Sequence, residues 1–332
     1  MRIRFGILGT GLIASTHAAA LASLSDAVLV GCSDADFSRA EAFAAAHHIR
    51  AYRSDAEMLS DEGIDAVCIC TPSGYHTGHA LNCLAHQKHV VLEKPMAFDV
   101  SAADRIIAAC REHDRKLTVI SQTRFAPDVI RVRELVGAGA FGTLSMCSLY
   151  MKYWREPSYY AASAWRGTKQ YDGGGALMNQ GVHGVDLLRY IAGDMTVTAA
   201  QARTRTHDIE VEDTANALLS FENGAVGVIE ASTCAYPGFA RQLELIGDRG
   251  HAIIRDTSLE SLVIDGKEIP CENAVHTVEA ANKPSVSDCT LHARQISNFI
   301  DAVMRGTPLE SDASEGKKAI EIIERVYALA GI

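Results

Sequence analysis

The first third of the chain alternates short apolar runs with longer stretches of helical pattern. The apolar runs are rich in β-branched residues and too short for helices, which is typical of buried strands. They lie at residues 3–9, 27–32, 66–70, 90–92 and 117–121. Because strands that alternate with helices usually form parallel sheets, the pattern predicts a doubly wound α/β domain over residues 1–121.

After Ser121 the pattern changes to successive alternating or apolar runs without helices between them. Hairpin signals occur at Glu222-Asn-Gly224 and Gly247-Asp-Arg-Gly250, and helical stretches at 288–305 and 314–330 close the chain. The strand-like runs lie at residues 143–153, 195–204, 214–221, 225–232, 241–246 and 251–254. They predict an α+β domain over residues 122–332, built on a large, open and mainly antiparallel sheet.

Composition limits the partners that this chain could have. The chain has 332 residues, 31 of them basic and 41 acidic, and a net charge of -10, which disfavours nucleic acid and anionic membranes. The chain starts directly in a strand pattern, and no apolar run approaches the roughly 18 residues that span a bilayer, so we expect a cytoplasmic protein. The nine cysteines are scattered without a CxxC pair, and we expect no metal site.

A glycine-rich turn joins the first predicted strand to the first predicted helix. It reads Gly9-Thr-Gly11-Leu-Ile-Ala14, the G-x-G-x-x-A form of a dinucleotide-binding turn. Gly9 permits the tight turn, Gly11 lets the backbone approach a pyrophosphate, and Ala14 allows the helix to pack closely on the strand. We expect these residues to bind a dinucleotide together with Leu12 and Ile13.

The second predicted strand ends at Ser33-Asp34, about twenty residues beyond the glycines. Asp34 can accept hydrogen bonds from both ribose hydroxyls of an adenosine, and its charge would repel a 2′-phosphate. We therefore expect NAD as cofactor, with Ser33 and Asp34 near the ribose, and favour NADP less. Arg39 could bind a 2′-phosphate, but we expect it to be an exposed helix residue. We expect His17, on the first helix, to be a packing residue.

Two further predicted strands end in polar loops at the edge where open α/β sheets bind ligands. One strand ends in Thr71-Pro72 with His76 shortly after, and these three residues are expected beside the cofactor. The strand before residue 93 ends in Glu93-Lys94-Pro95. Proline disfavours a helical conformation for the residue before it, so Lys94 is expected to point out from an extended backbone, with Glu93 as an anchor next to the cofactor.

One segment of the second domain, residues 165–190, departs from ordinary sheet sequence. Its three consecutive glycines, 173–175, carry a large entropic cost and indicate a backbone that passes close to another group. The following predicted helix places Asn179, His183 and Asp186 at i, i+4 and i+7 on one face. An imidazole that shares a face with an amide and a carboxylate suits proton exchange with a substrate hydroxyl.

Other side chains are candidates for a substrate wall, because sugars stack on aromatic faces and arginines bind anions. The expected substrate-binding residues are Lys94, Gln122, Arg124, Trp165, Arg166, Asn179, His183 and Asp186.

Taken together, these residues resemble the glucose-fructose oxidoreductase, inositol dehydrogenase and MocA family (Gfo/Idh/MocA). The resemblance covers essentially the whole chain and rests on the glycine turn, Thr71-Pro72 with His76, Glu93-Lys94-Pro95, and Gly173 to Asp186. It implies hydride transfer between NAD(P) and a secondary alcohol of a sugar or cyclitol. It also implies that Lys94 and His183 are catalytic, and that the protein is a homodimer or homotetramer paired through the C-terminal sheet.

Asn179 departs from the family pattern, because inositol dehydrogenase-like members carry aspartate at that position. An amide can orient the imidazole but cannot stabilise its cation by charge, so more of the proton handling is expected to fall on Lys94 and His183. The sequence around Met178-Asn-Gln180 and Trp165-Arg166 resembles that of nucleotide-sugar 3-dehydrogenases. An enzyme of that kind, which keeps its NAD tightly bound and recycles it, is therefore an alternative function. A non-catalytic NAD-sensing regulatory protein is a third reading of the same fold.

Overall fold

The computed structural model describes residues 2–271 and 288–332. Within these ranges the chain forms two compact units. The first contains residues up to 122 and residues 288–317, and the second contains residues 123–271 and 318–332. The sequence pattern predicted a single domain boundary at 121/122. In the structure, the helix after residue 288 belongs to the first unit, because its residues contact that unit.

The first unit is built on a six-stranded parallel sheet, as predicted. The strand order is β3-β2-β1-β4-β5-β6, and every neighbouring pair is parallel. The order reverses between β1 and β4, so the crevice beyond the ends of these strands is the expected ligand position. The strands are β1 (Ile3–Leu8), β2 (Ala27–Ser33), β3 (Arg50–Tyr52), β4 (Ala66–Ile69), β5 (His89–Leu92) and β6 (Leu117–Val119).

Helices connect these strands, and one arrives from much later in the sequence. The helices are α1 (Leu12–Ala22), α2 (Phe37–His47), α3 (Asp55–Leu59), α4 (His76–Ala85), α5 (Val100–Glu112) and, far downstream, α10 (Thr290–Arg305). Phe299 and Ile300 of α10 are buried in the same core as Phe5 and Ala14. Gln295 of α10 accepts from the Ser121 N–H at 2.9 Å and donates to the Val119 carbonyl at 2.7 Å, which ties this helix to the end of β6.

The second unit is built on an eight-stranded, mainly antiparallel sheet, as predicted. The strand order is β14-β13-β12-β11-β7-β10-β9-β8, and only the β7–β10 pair is parallel among the described strands. Both predicted hairpins are present. The strands are β7 (Leu144–Lys152), β8 (Met195–Arg203), β9 (Thr214–Phe221), β10 (Val226–Ser232), β11 (Gln242–Gly247), β12 (Gly250–Arg255), β13 (Ser258–Ile264) and β14 (Lys267–Glu268).

Helices accompany this sheet, and other sheet positions are exposed. The helices are α6 (Pro127–Gly137), α7 (Pro157–Ala161), α8 (Lys169–Asp172), α9 (Val182–Ala192) and the second half of α11 (Ala313–Ala330). Helices α6 and α9 pack against β7, β11, β12 and β13. Large apolar side chains on four of the strands are exposed in the single chain: Met146, Leu218, Val226 and Ile246. Val226 and Ile246 both pair with Met146 on adjacent strands, so three of these side chains are neighbours in an exposed apolar patch, a feature that often marks an interaction surface.

The three consecutive glycines lie in a turn that is fastened to a buried carboxylate. Glu212 accepts from the N–H groups of Gly175 and Leu177, both at 2.8 Å, and from the Tyr327 hydroxyl at 2.8 Å. Burial raises the pKa of Glu212, and these three donors oppose that rise. A Cβ on Gly175 would lie 1.9 Å from the Glu212 carbonyl oxygen. The close approach expected from the glycines is therefore to Glu212.

We expect Gly175→Ala to destabilise the protein, because its new methyl group overlaps the backbone of Glu212. A loss of about 1–3 kcal/mol in the free energy of unfolding follows for an overpacked site of this kind. The matched control is Gly78→Ala, which lies in α4 with no heavy atom within 4 Å of the new Cβ. Denaturant unfolding should show Gly78→Ala unchanged or more stable. Equal stability of the two variants would contradict the expectation.

Candidate active site

The predicted cofactor residues lie where parallel strands end. Gly9, Asp34, Thr71 and Glu93 follow or end the neighbouring strands β1, β2, β4 and β5, at the same edge of the sheet. The structure therefore brings these four sequence signals together on both sides of the point where the strand order reverses.

The glycine turn is shaped to receive an anion. Gly9 has φ +89°, and a Cβ there would lie 2.9 Å from Thr71 Cγ2, so this position requires glycine. Gly11 is the N-cap of α1 and makes no side-chain capping bond, while a Cβ on it would meet only Arg39 Nη2 at 3.7 Å. The first N–H groups of the helix are thus open to a phosphate. Ala14 is fully buried, whereas Leu12 is exposed.

Asp34 is held in place by local donors. One of its oxygens accepts from the backbone N–H and hydroxyl of Thr10, at 2.7 and 2.9 Å, and the other accepts from the Asp36 N–H at 3.0 Å. The carboxylate is only partly buried, so it remains able to accept from a ribose. Ser33, also expected near the ribose, has a buried hydroxyl that donates to Asp55 at 2.8 Å and a carbonyl that accepts from the Gly9 N–H. It supports the turn.

His76 joins two loops. Its Nδ1 lies 2.7 Å from the Pro95 carbonyl oxygen and its Nε2 lies 2.9 Å from the Thr71 carbonyl oxygen. Burial lowers the pKa of His76, although both carbonyls oppose this. His76 was predicted to lie beside the cofactor, and both nitrogens of its ring contact backbone carbonyl oxygens. It links the loop that begins at Thr71 and Pro72 to the loop that contains Lys94.

The Glu93-Lys94-Pro95 segment follows β5, and its carboxylate is buried. Glu93 Oε1 lies 2.9 Å from His17 Nε2 and 3.8 Å from His292 Nε2, and Oε2 accepts from the Lys94 backbone N–H at 3.2 Å. Burial alone would raise the pKa of Glu93, but the hydrogen bond from His17 and the nearby His292 imidazole outweigh it and hold this pKa well below its usual range. The expected anchor role for Glu93 agrees with these contacts.

In the second unit, His183 lies in the first turn of α9. Every residue from Val182 to Arg189 is buried except His183, which is partly exposed and therefore able to exchange a proton. Asn179 is in the turn before this helix, which begins at Val182. The expectation of one helical face carrying Asn179, His183 and Asp186 is therefore wrong for Asn179. Gly181, a poor helix former, is the N-cap.

Asn179 belongs to a chain of hydrogen bonds that the sequence did not reveal. Its Nδ2 donates to Asp172, and its Oδ1 accepts from Gln180 Nε2 at 2.9 Å. Because both ends of the amide have a partner of the right kind, its orientation is well determined. Arg155 donates to Gln180 Oε1 at 2.8 Å, and the second oxygen of Asp172 accepts from the Gly167 N–H at 2.6 Å. Asp172, at only 3% exposure, supplies a carboxylate next to Asn179.

Arg124 and Asp186, both expected to bind substrate, pair with each other. Arg124 Nε donates to Asp186 at 2.8 Å, a second bond joins the same two groups, and both side chains are buried. The guanidinium also lies over the Tyr190 ring at 4.4 Å. A planar two-bond pair in a buried position favours a structural role, and the substrate-binding role expected of these two residues stays a prediction.

Two of the remaining wall candidates, Arg166 and Gln122, each have a buried polar atom without a hydrogen-bond partner in the described part of the chain. Arg166 donates to the Tyr159 carbonyl at 3.0 Å and lies over that ring, while its Nε is buried without a hydrogen-bond partner among the described residues. Trp165, partly exposed, lies beside this guanidinium. Gln122 Oε1 is likewise buried and unpaired within residues 2–271 and 288–332. Unpaired buried polar atoms of this kind suit a ligand that completes their hydrogen bonding.

Two family profiles match most of the chain. Residues 3–121 match an oxidoreductase family with an NAD-binding Rossmann fold, and residues 129–253 match the GFO/IDH/MocA C-terminal domain. The open glycine turn and the carboxylate of Asp34 fit NAD, whose nicotinamide supplies the hydride acceptor in this class of enzyme.

Several proteins are similar to this chain over nearly its full length. Myo-inositol 2-dehydrogenase of Thermotoga maritima is 26% identical over 329 residues, 96% of this chain and 93% of that protein. The WlbA dehydrogenase of Bordetella pertussis, solved in complex with NADH and UDP-GlcNAcA, is 29% identical with a TM-score of 0.88 and covers 100% of this chain and 98% of its own. Levoglucosan dehydrogenase, at 19% identity and a TM-score of 0.88, shares the fold. The chain belongs to the Gfo/Idh/MocA family and is an NAD-dependent oxidoreductase.

Proposed function

We propose that this enzyme transfers a hydride between NAD and a secondary alcohol carbon of a sugar or cyclitol. The observation that carries the proposal is the position of Lys94, directly after β5 at the edge of the sheet that holds the glycine turn and Asp34. An ammonium beside the nicotinamide site can bind and polarise a substrate hydroxyl. The inositol dehydrogenases among the similar proteins support this substrate class.

The proton chemistry falls to residues of both units. In the proposal, the substrate hydroxyl makes hydrogen bonds with the Lys94 ammonium and the His183 imidazole, and His183 takes the hydroxyl proton during oxidation. Asn179 keeps its amide oriented through Asp172 and Gln180, so it can hold the ring or a sugar hydroxyl in a fixed direction. Trp165, Arg166 and Gln122 contribute a stacking surface and unpaired polar groups for the sugar.

A nucleotide sugar is the second candidate substrate. The full-length similarity to a dehydrogenase solved with NADH and UDP-GlcNAcA favours it. The partly buried Arg166 provides positive charge for an acidic sugar or a diphosphate, and its Nε has no hydrogen-bond partner within residues 2–271 and 288–332. Arg155, which bonds to Gln180, provides a second positive charge. In this version the enzyme keeps NAD tightly bound and recycles it with a second substrate.

A substrate panel separates these candidates. Purified enzyme is incubated with NAD⁺ and with cyclitols, free hexoses or UDP-uronates, and cofactor reduction is followed by absorbance. Turnover with free polyols supports the first candidate, whereas protein that is purified with NADH and responds to a UDP-uronate supports the second. Failure of every alcohol to reduce NAD⁺, in protein shown to bind NADH, would contradict both.

We propose a homodimer or homotetramer paired through the eight-stranded sheet. The exposed Met146, Leu218, Val226 and Ile246 support it, because covering them would remove apolar area from water. Replacing Leu218 and Val226 by lysine is expected to lower the mass measured by light scattering, with Leu329→Lys, outside the sheet, as the control. A monomeric wild-type protein at micromolar concentration would contradict the proposal.

We propose a cytoplasmic location, because nine scattered cysteines without a CxxC pair do not suit the disulfide framework of a secreted protein.

Along the described part of the chain, no helix combines the length and apolar character that crossing a membrane requires.

A further inference from the structure

A buried cluster in the first unit consists of His17, Glu93 and His292, called here the Glu93 cluster. His17 comes from α1, Glu93 follows β5, and His292 comes from α10, so three distant parts of the sequence meet. The three residues are between 0% and 6% exposed. The two imidazole rings lie 5.6 Å apart in an edge-to-face arrangement. His292 has no part in the proposed chemistry, and no motif in the sequence indicates a function for it.

The two histidines meet the same carboxylate oxygen. His17 Nε2 donates to Glu93 Oε1 at 2.9 Å, and His292 Nε2 lies 3.8 Å from that oxygen. His17 Nδ1 is buried and has no hydrogen-bond partner in the described ranges, so a proton there would have no acceptor. The tautomer of His17 that carries its proton on Nε2 and none on Nδ1 therefore leaves no buried N–H group without an acceptor.

The other oxygen of the carboxylate reaches the lysine. Glu93 Oε2 accepts from the Lys94 backbone N–H, and the carbonyl of the following residue, Pro95, lies 2.7 Å from His76 Nδ1. The backbone of Lys94 is therefore held on both sides by buried groups. A buried carboxylate keeps its position and charge only while its donors are present, because an uncompensated buried charge is costly.

We propose that His17 and His292 are positioning residues: they fix the Glu93 carboxylate, which holds the backbone of Lys94 and so sets where the lysine ammonium points. The proposal deepens the proposed function, since it rests on Lys94 handling the substrate hydroxyl. Neither histidine touches substrate in it. They act through Glu93 alone.

His292 is the better residue to change, because α10 is separate from the glycine turn whereas His17 lies on the helix that begins there. His292→Leu replaces the imidazole that faces Glu93 with an apolar side chain, while His292→Gln restores an N–H near the position of Nε2. Glu93→Gln is a second test that keeps the shape of the side chain, but its amide cannot accept from both His17 and Lys94. The matched control is His89→Leu, at the opposite end of β5.

The first readout is the reactivity of Lys94 in the absence of substrate. Each folded variant is labelled briefly with acetic anhydride over a pH series, and acetylation of Lys94 is measured by mass spectrometry. Lys88, whose ammonium donates to the Asp61 and Ile64 carbonyls, serves as the internal reference. We expect a several-fold change for Lys94 in His292→Leu and Glu93→Gln, recovery in His292→Gln, and no change in His89→Leu. An unchanged Lys94 profile in both test variants would overturn the proposal.

The second readout is turnover, with NADH binding as the check on the cofactor site. A displaced ammonium should lower kcat up to about 100-fold while KM changes little and NADH still binds. Altered labelling without turnover in any variant, wild type included, would mean that the proposed function fails while the positioning role stands. Stoichiometric zinc in the purified protein, lost in His292→Leu, would overturn the proposal, since the histidines would then be metal ligands.

Discussion

Lys94→Met is expected to lower kcat by about 10²–10⁴-fold, the range for loss of a group that handles a proton in the transition state. Methionine keeps much of the length of the side chain but has no charge and no donor. The glycine turn and Asp34 are unaffected, so binding of NADH, measured by calorimetry, should stay within a few-fold of the wild type. The loss should therefore appear in kcat at saturating cofactor.

The control for this prediction is Lys317→Met in the same unit. Lys317 forms a salt bridge with the exposed Asp104, a kind of pair that contributes at most about 1 kcal/mol to stability. Its turnover should match the wild type. If Lys94→Met retains full turnover, Lys94 is not part of the chemistry, and the His183 imidazole has to be tested alone by His183→Asn.

Asn179→Asp is expected to lower the stability of the protein, although it introduces the aspartate expected in inositol dehydrogenase-like members of the family. The Asn179 amide donates to Asp172, so the substitution places two carboxylates in contact in a partly buried site. Loss of a hydrogen bond to a charged group lowers the free energy of unfolding by about 2 kcal/mol. Repulsion raises the pKa of one carboxyl, so the defect should be largest at neutral pH and shrink as the pH falls and that carboxyl is protonated.

The exchange variant Asp172→Asn/Asn179→Asp tests whether this pair is the cause. In the double variant an amide at 172 can still accept from the Gly167 N–H and donate to the carboxylate at 179. We expect it to recover most of the stability lost in Asn179→Asp. Urea unfolding at neutral and acidic pH measures the free energy of unfolding of Asn179→Asp, of Asp172→Asn and of the double variant. A double variant that shows the sum of the two single losses would contradict direct coupling.

The sequence predicted both sheets because their hydrophobic periodicity differs. Runs such as 66–70 in the first unit and 214–221 in the second correspond to β4 and β9 almost residue for residue. Strand β3, with only three residues, was not located because it is too short for a period to show. Strand β13 follows β12 after a two-residue turn without a strong glycine signal, and it was also missed.

Local sequence predicted that the Gly9–Ala14 turn and Lys94 lie just after strands of the first sheet, and the structure has them there. Their roles in binding and catalysis stay predictions. Contacts that depend on tertiary structure were not predictable. Asp172 ends one short helix and Asn179 lies beyond the three glycines 173–175, so no continuous helix or strand relates the two residues. His292 lies almost two hundred residues beyond Glu93. The Arg124–Asp186 pair similarly joins two residues whose charges had suggested a ligand role.

The return of α10 to the first unit has a consequence for synthesis on the ribosome. Phe299 and Ile300 complete a core whose other members, such as Phe5 and Ala14, are made first. A nascent chain that ends at Gln122 therefore leaves this apolar surface uncovered. At about 5–20 residues per second, synthesis from Gln122 to α10 takes on the order of ten seconds or more. Chaperone binding during this interval would keep the emerging sheet from aggregating.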